Sequence, residues 1–217
     1  MIAEKIKTFK NTIPDTVTLV AVSKTKPASK ILEAYNTGHL VFGENKVQEM
    51  ESKWQELPKD IEWHMIGHVQ RNKVKYIAPF VSLVHAVDSP RLLKEINKQA
   101  KKNERVIKCL LQIKIAEEDS KYGLSKEDAF ALLASENYKN FEHVKIVGLM
   151  GMATFTDDKL QITSEFESLK KTFEEFKKED PNIEILSMGM SGDYTIAIEK
   201  GSTMIRVGSA IFGERNY

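Results

Sequence analysis

One cysteine in 217 residues rules out an intramolecular disulfide. Cys109 sits inside the apolar run "VIKCLLQI", and the expectation is a small core residue in a reducing compartment. No apolar stretch reaches the roughly 20 residues that a bilayer demands. The opening "MIAEKIKTFK" is charged throughout and lacks the apolar stretch of a signal peptide, so a cytoplasmic, membrane-free protein is expected. An excess of one charge sign is also missing: 32 basic residues against 31 acidic leave a formal charge of +1. That balance removes the electrostatic case for nucleic acid or anionic lipid as the principal partner. Lys101, Lys102, Lys170 and Lys171 stand among glutamates and read as solvated helix faces. Low-complexity segments and Gly/Ser/Pro-rich linkers are absent, and residues 1–217 are expected to form one domain. The five histidines have no ligand spacing, which argues against zinc. There is no G-x-S-x-G elbow, Walker loop or G-x-G-x-x-G.

What is present is alternation. Short apolar, β-branched segments recur at 17–23, 40–44, 61–67, 81–87, 105–115, 144–152, 183–191 and 203–213. Between most of them the apolar period changes to that of a helix. Ile31, Leu32 and Tyr35 share a face before the stop at Gly38, and Val47, Met50, Trp54 and Leu57 form a second stripe. Ser89 and Pro90 open a third helix as N-cap and first residue. Ser125 with Asp128 resembles a capping box. Ile162, Phe166, Leu169, Phe173 and Phe176 stripe a long charged helix that Pro181 ends. Strand after helix, repeated eightfold, favours right-handed βαβ crossovers closed into a (β/α)₈ TIM barrel, although about 250 residues is more usual. An open doubly wound sheet is the alternative. Both place a site at the carboxyl ends of the strands.

The unusual residues gather at those ends. "LVAVSKTKP" closes the first strand on Lys24, and a strand that ends on an ammonium can hold an amine at a pocket mouth. Lys26 precedes Pro27 and is expected in the loop. Gly189-Met190-Ser191-Gly192 and Gly208-Ser209 follow the last two strands, where barrels commonly build phosphate sites. Arg206 is one of only five arginines and ends an apolar strand. Its planar guanidinium suits a carboxylate, a phosphate or an aromatic nitrogen, with a rim salt bridge as the competing reading. His64, between Trp63 and Met65, reads as a satisfied core histidine.

Taken in order, "AVSKTKP", "FGENKVQE", "WHMIGHVQRNK", "LVHAVDS", "SKYGL", "GLMGM" and "LSMGMSGDYTIAIEKGSTMIRVGSAIFG" cover nearly the whole chain. Together they closely resemble the pyridoxal phosphate homeostasis proteins, single-domain relatives of the alanine racemase barrel. The resemblance implies an alanine racemase N-terminal-domain-like barrel that carries pyridoxal 5′-phosphate (PLP) as a Schiff base on Lys24. It places Asn45 near the cofactor, Ser191, Gly208 and Ser209 on the phosphate, and Arg206 opposite the pyridine nitrogen. Met65 replaces the family's frequent phenylalanine, a volume-tolerant exchange.

Three functions compete on this reading. A carrier would store, deliver or buffer PLP, with PLP-dependent apoenzymes as recipients and at most a weak side activity. An amino-acid racemase would need a second acid/base on the opposite face of the cofactor, which racemases take from an added β domain, and no such domain follows "IFGERNY". A Schiff-base aldolase would have no special use for Arg206. The carrier, with no catalytic residue and no metal, is the expectation.

Overall fold

All eight apolar segments form strands, and they close on themselves. In the computed structural model, which describes residues 1–117 and 122–214, β1 (Thr18–Val22), β2 (Val41–Glu44), β3 (Glu62–Met65), β4 (Leu83–Val87), β5 (Ile107–Gln112), β6 (Val144–Met150), β7 (Ile185–Met190) and β8 (Met204–Val207) pair in chain order. Each pairing is parallel, and β1 meets β8 through Thr18–Met204 to Ala21–Val207. The open-sheet alternative is thereby excluded, because no edge strand is left.

The helices are α1 (Ile2–Thr12), α2 (Ala28–Tyr35), α3 (Val47–Glu56), α4 (Val74–Ile77), α5 (Pro90–Lys102), α6 (Lys126–Ala134), α7 (Glu136–Lys139), α8 (Lys159–Glu179), α9 (Tyr194–Glu199) and α10 (Ser209–Phe212). A 3₁₀ turn, Arg71–Lys73, precedes α4. Several starts follow from local chemistry. Ser89 accepts from the Leu92 amide, Ser125 from the Asp128 amide, and Asp158 caps α8 through Leu160 and Gln161. Gly38 adopts φ +80°, the left-handed conformation that stops α2.

Strands buried on both faces must be apolar on both. Val20, Leu83, Leu110, Val147, Met150 and Met204 fill the barrel interior. The opposite faces, with Leu19, Ala21, Phe42 and Trp63, pack under the helix shell, where α8 buries its stripe from Ile162 to Phe176. Cys109 lies in that shell, and burial pushes its thiol pKa up.

Strand ends shift by a few residues throughout, and three departures from the sequence reading are larger in consequence. β1 stops at Val22, so Lys24 stands in the turn after the strand. β8 stops at Val207, and residues 209–212, read as strand, are α10. A short apolar run has no period to separate the two, and Gly208 turns the chain so that its carbonyl takes the amides of Ile211 and Phe212. The third is α1, whose buried Ile2, Ile6 and Phe9 were hidden among the charges of "MIAEKIKTFK". Of the quoted motifs, Ser120 and Lys121 of "SKYGL" and the final residues 215–217 lie outside the described part. Among the described residues, no helix is long and apolar enough to cross a membrane.

Candidate functional site

The carboxyl ends of the strands surround a cavity of about 530 Å³. Lys24, Asn45, Ser191, Arg206, Gly208 and Ser209 all line it, so every site residue expected from the sequence arrives at one place. They come from four strand ends that are adjacent in the barrel: β7, β8, β1 and β2.

Lys24 is half-buried and occupies a tight turn in which the Lys26 amide donates to the Ser23 carbonyl, 3.1 Å. Lys26 also lines the cavity, but its ammonium donates to the Glu214 carbonyl, 2.8 Å. Asn45 follows β2 directly, and its backbone is covered by Gly67. A Cβ at position 67 would lie 2.4 Å from the Asn45 carbonyl oxygen, so only glycine lets the two strand ends approach this closely. Ser191 accepts from the Gly208 amide at 3.2 Å, which ties the β7 loop to the β8 loop and leaves the hydroxyl proton for another acceptor. Gly189 behaves differently from its expected role. With φ +98°, it packs against α9, where an added Cβ would lie 2.6 Å from that of Ala197.

Arg206 is buried inside the barrel instead of bridging the rim. One guanidinium nitrogen donates to Ser187 Oγ at 2.6 Å and the other to the Gly151 carbonyl at 3.0 Å. Burial pulls its pKa down to about 10 while Asp193 opposes the shift, so the group remains a cation at neutral pH. Asp193 spends one carboxylate oxygen on the Met190 amide, 2.5 Å. Behind Arg206 a buried chain continues from Ser187 Oγ to His85 Nδ1 and from His85 Nε2 to His64 Nδ1, each 3.1 Å. Desolvation holds His64 down at about 3 and His85 well below the ordinary histidine range, so both rings are neutral. His64 is thus the satisfied core histidine its neighbours suggested.

Two contributions were not anticipated. His85 alternates inward in β4 as His64 does in β3, a parity signal that the scattered spacing concealed. The loop after β6 supplies a wall from Met152 to Asp157, fixed where Glu165 of α8 receives the amide and hydroxyl of Thr154, both 2.6 Å. Chemically, the cavity offers lysine amines and a fixed cation beside hydroxyls and glycine backbone. That set fits an anionic aromatic carbonyl compound.

The chain is similar to known proteins in sequence and fold. The family model "Alanine racemase, N-terminal domain" matches residues 1–216. A "Pyridoxal phosphate homeostasis protein" of Haemophilus influenzae is 39% identical over 225 residues, spanning 100% of this chain and 94% of that protein. PipY of Synechococcus elongatus PCC7942, solved without and with PLP bound, gives TM-scores of 0.92 and 0.89. It is 34% identical, over 98% of this chain and 100% of that one. Alanine racemase from E. faecalis shares the fold at TM-score 0.71 with 16% identity, covering 99% of this chain but 58% of that one.

Proposed function

The chain belongs to the pyridoxal phosphate homeostasis protein family, and from that premise we propose that its cavity holds PLP as a carrier that stores, delivers or buffers the cofactor without efficient turnover. One observation carries this reading: amine, amide, guanidinium and hydroxyls from four separate strand ends converge on a single cavity.

The donor set passes a test of fit. Ser191, Ser209 and the Gly208 backbone form the wall that would take a phosphate, since hydroxyls and close backbone suit its oxygens. Asn45 would stand beside the ring, and Arg206 would face its nitrogen. When bound, PLP supplies a carbonyl that a lysine amine captures and a ring that withdraws electrons best with its nitrogen protonated. Lys24 is the amine this reading assigns to the carbonyl. Arg206 can only donate hydrogen bonds. Its pKa of about 10 keeps the proton on the guanidinium at neutral pH, and Ser187 and Gly151 fix its direction. The ring nitrogen would therefore receive a hydrogen bond without a transferred proton, which disfavours decarboxylation and transamination.

Racemisation tolerates such a nitrogen but needs acid/base groups on both faces of the ring. Among the described residues, no tyrosine, histidine or cysteine lines the cavity, and of its two carboxylates Asp193 accepts from the Met190 amide while Asp157 lies exposed at the rim. The second amine, that of Lys26, is held by the Glu214 carbonyl. A carrier fits these residues better than a racemase. Single-domain organisation, a cytoplasmic setting and apoenzymes as recipients belong to the same proposal.

The phosphate wall can be tested by omission. Pyridoxal, which lacks the phosphate, should bind at least ~100-fold more weakly than PLP, because each charge-assisted hydrogen bond lost costs about 1.5–3 kcal/mol. Fluorescence titration of both compounds measures the ratio. Equal affinities would remove Ser191, Gly208 and Ser209 from the phosphate.

A further inference from the structure

Outside the barrel, behind the turn that bears Lys24, lies a buried charged cluster that contributes nothing to the cavity wall. Lys53 of α3 is 7% exposed. Its ammonium donates to Glu44 Oε1 at 2.7 Å, to Glu49 Oε1 at 2.7 Å and to the Ser23 carbonyl at 2.8 Å. The Ser23 hydroxyl donates to the same Glu44 oxygen at 2.6 Å, and Glu49 Oε1 also takes the Thr25 amide at 2.5 Å. Both neighbours of Lys24 are therefore tied to one buried lysine.

The turn has reason to need this. Thr25 has φ +64°, a left-handed conformation that is costly for a β-branched residue. A residue placed there persists only where its surroundings over-determine it. Glycine would adopt the same turn without strain. Glu49 and Lys53 supply the hold from α3, and Glu44 joins it to the end of β2, next to Asn45.

We propose that Glu49, Lys53 and Glu44 act as positioning residues that hold the strained Thr25 turn and so present the Lys24 amine to the carbonyl group it captures. The proposal rests on the PLP reading above. Glu49→Ala should slow PLP capture by about tenfold, the scale on which misorienting a reacting group matters, while the protein stays folded by its melting transition. Thr25→Gly in the Glu49→Ala background removes the strain and should restore capture to within about threefold of wild type. Stopped-flow absorbance after mixing with PLP reads the rate. Hydrogen exchange at the Thr25 amide of the apo-protein, which should quicken in Glu49→Ala, reads the turn without any cofactor.

An unchanged capture rate in Glu49→Ala overturns the proposal, as does a slowed rate that Thr25→Gly fails to restore. If the wild-type chain captures no PLP, the functional reading fails by itself. Exchange then decides the clamp: faster exchange at Thr25 sustains it, and unchanged exchange overturns it.

Discussion

Lys24→Ala is expected to abolish the visible absorbance that PLP acquires on joining a protein amine, and Lys26→Ala to keep it. Both lysines line the cavity, so reach alone does not separate them. Their places in the chain do. Lys24 stands in the strained turn held from both sides by Glu44, Glu49 and Lys53, and Lys26 lies beyond it. A nucleophilic amine needs a fixed direction more than flexibility. Borohydride reduction followed by peptide mass spectrometry should find the adduct on Lys24 in the wild-type chain. An adduct on Lys26 would reverse the assignment. Lys24→Ala should still bind PLP weakly through the remaining polar contacts.

Mild acid should cost this protein a large part of its stability. Burial holds His39 at about 4, His64 at about 3 and His85 well below its ordinary value, so the folded protein keeps all three neutral. The unfolded chain protonates them below about 6.5. Stability from groups with depressed pKa is present above that value and is lost as pH falls. His39 and His64 each contribute about 2 kcal/mol of loss between pH 6.5 and 5, and His85 adds a loss of the same sign. Glu44 works in the opposite direction. Burial outweighs Lys53 and raises its carboxyl to about 7, so the folded state takes up its proton earlier and recovers about 2 kcal/mol over the same range. His39 and His64 less Glu44 leave a net loss of about 2 kcal/mol, to which His85 adds, against a total of roughly 5–15 kcal/mol for an ordinary domain. Urea denaturation at pH 7 and pH 5 measures it. His39→Gln, remote from the cavity and able to keep the bond to the Val41 carbonyl, should shrink the difference by about 2 kcal/mol. Equal stability at the two pH values would contradict the neutral buried histidines.

The strands and the cavity residues were legible in the sequence for the same reason. A barrel strand is a short apolar run on both faces, and any polar group at its carboxyl end stands out: Lys24 after "LVAVS", Arg206 within "MIRV", Ser191 after "SMGM". The supporting contacts were not legible, because their partners are distant and their residue types are ordinary. Lys53 in "ESKWQE" looks like another solvated lysine among glutamates, the reading that holds at the exposed Lys101 and Lys102. Only the fold shows that α3 turns it onto Ser23, 30 positions earlier. Ser187 and His85 meet across 102 positions. Thr25 conceals its role further, since a left-handed threonine carries none of the signal that a glycine there would give.

On the proposed reading Arg206 joins the site to its function, and the most direct measurement asks whether this protein turns PLP adducts over. The PLP-loaded protein should be incubated with a panel of amino acids in deuterated water while exchange at the α-carbon and product formation are followed. With a guanidinium that keeps its proton and, among the described residues, no tyrosine, histidine or cysteine lining the cavity, exchange should be slow for every amino acid and show no stereochemical preference. Rapid, stereospecific exchange of one amino acid, lost in Lys24→Ala, would show that the chain is an enzyme and would contradict the carrier assignment.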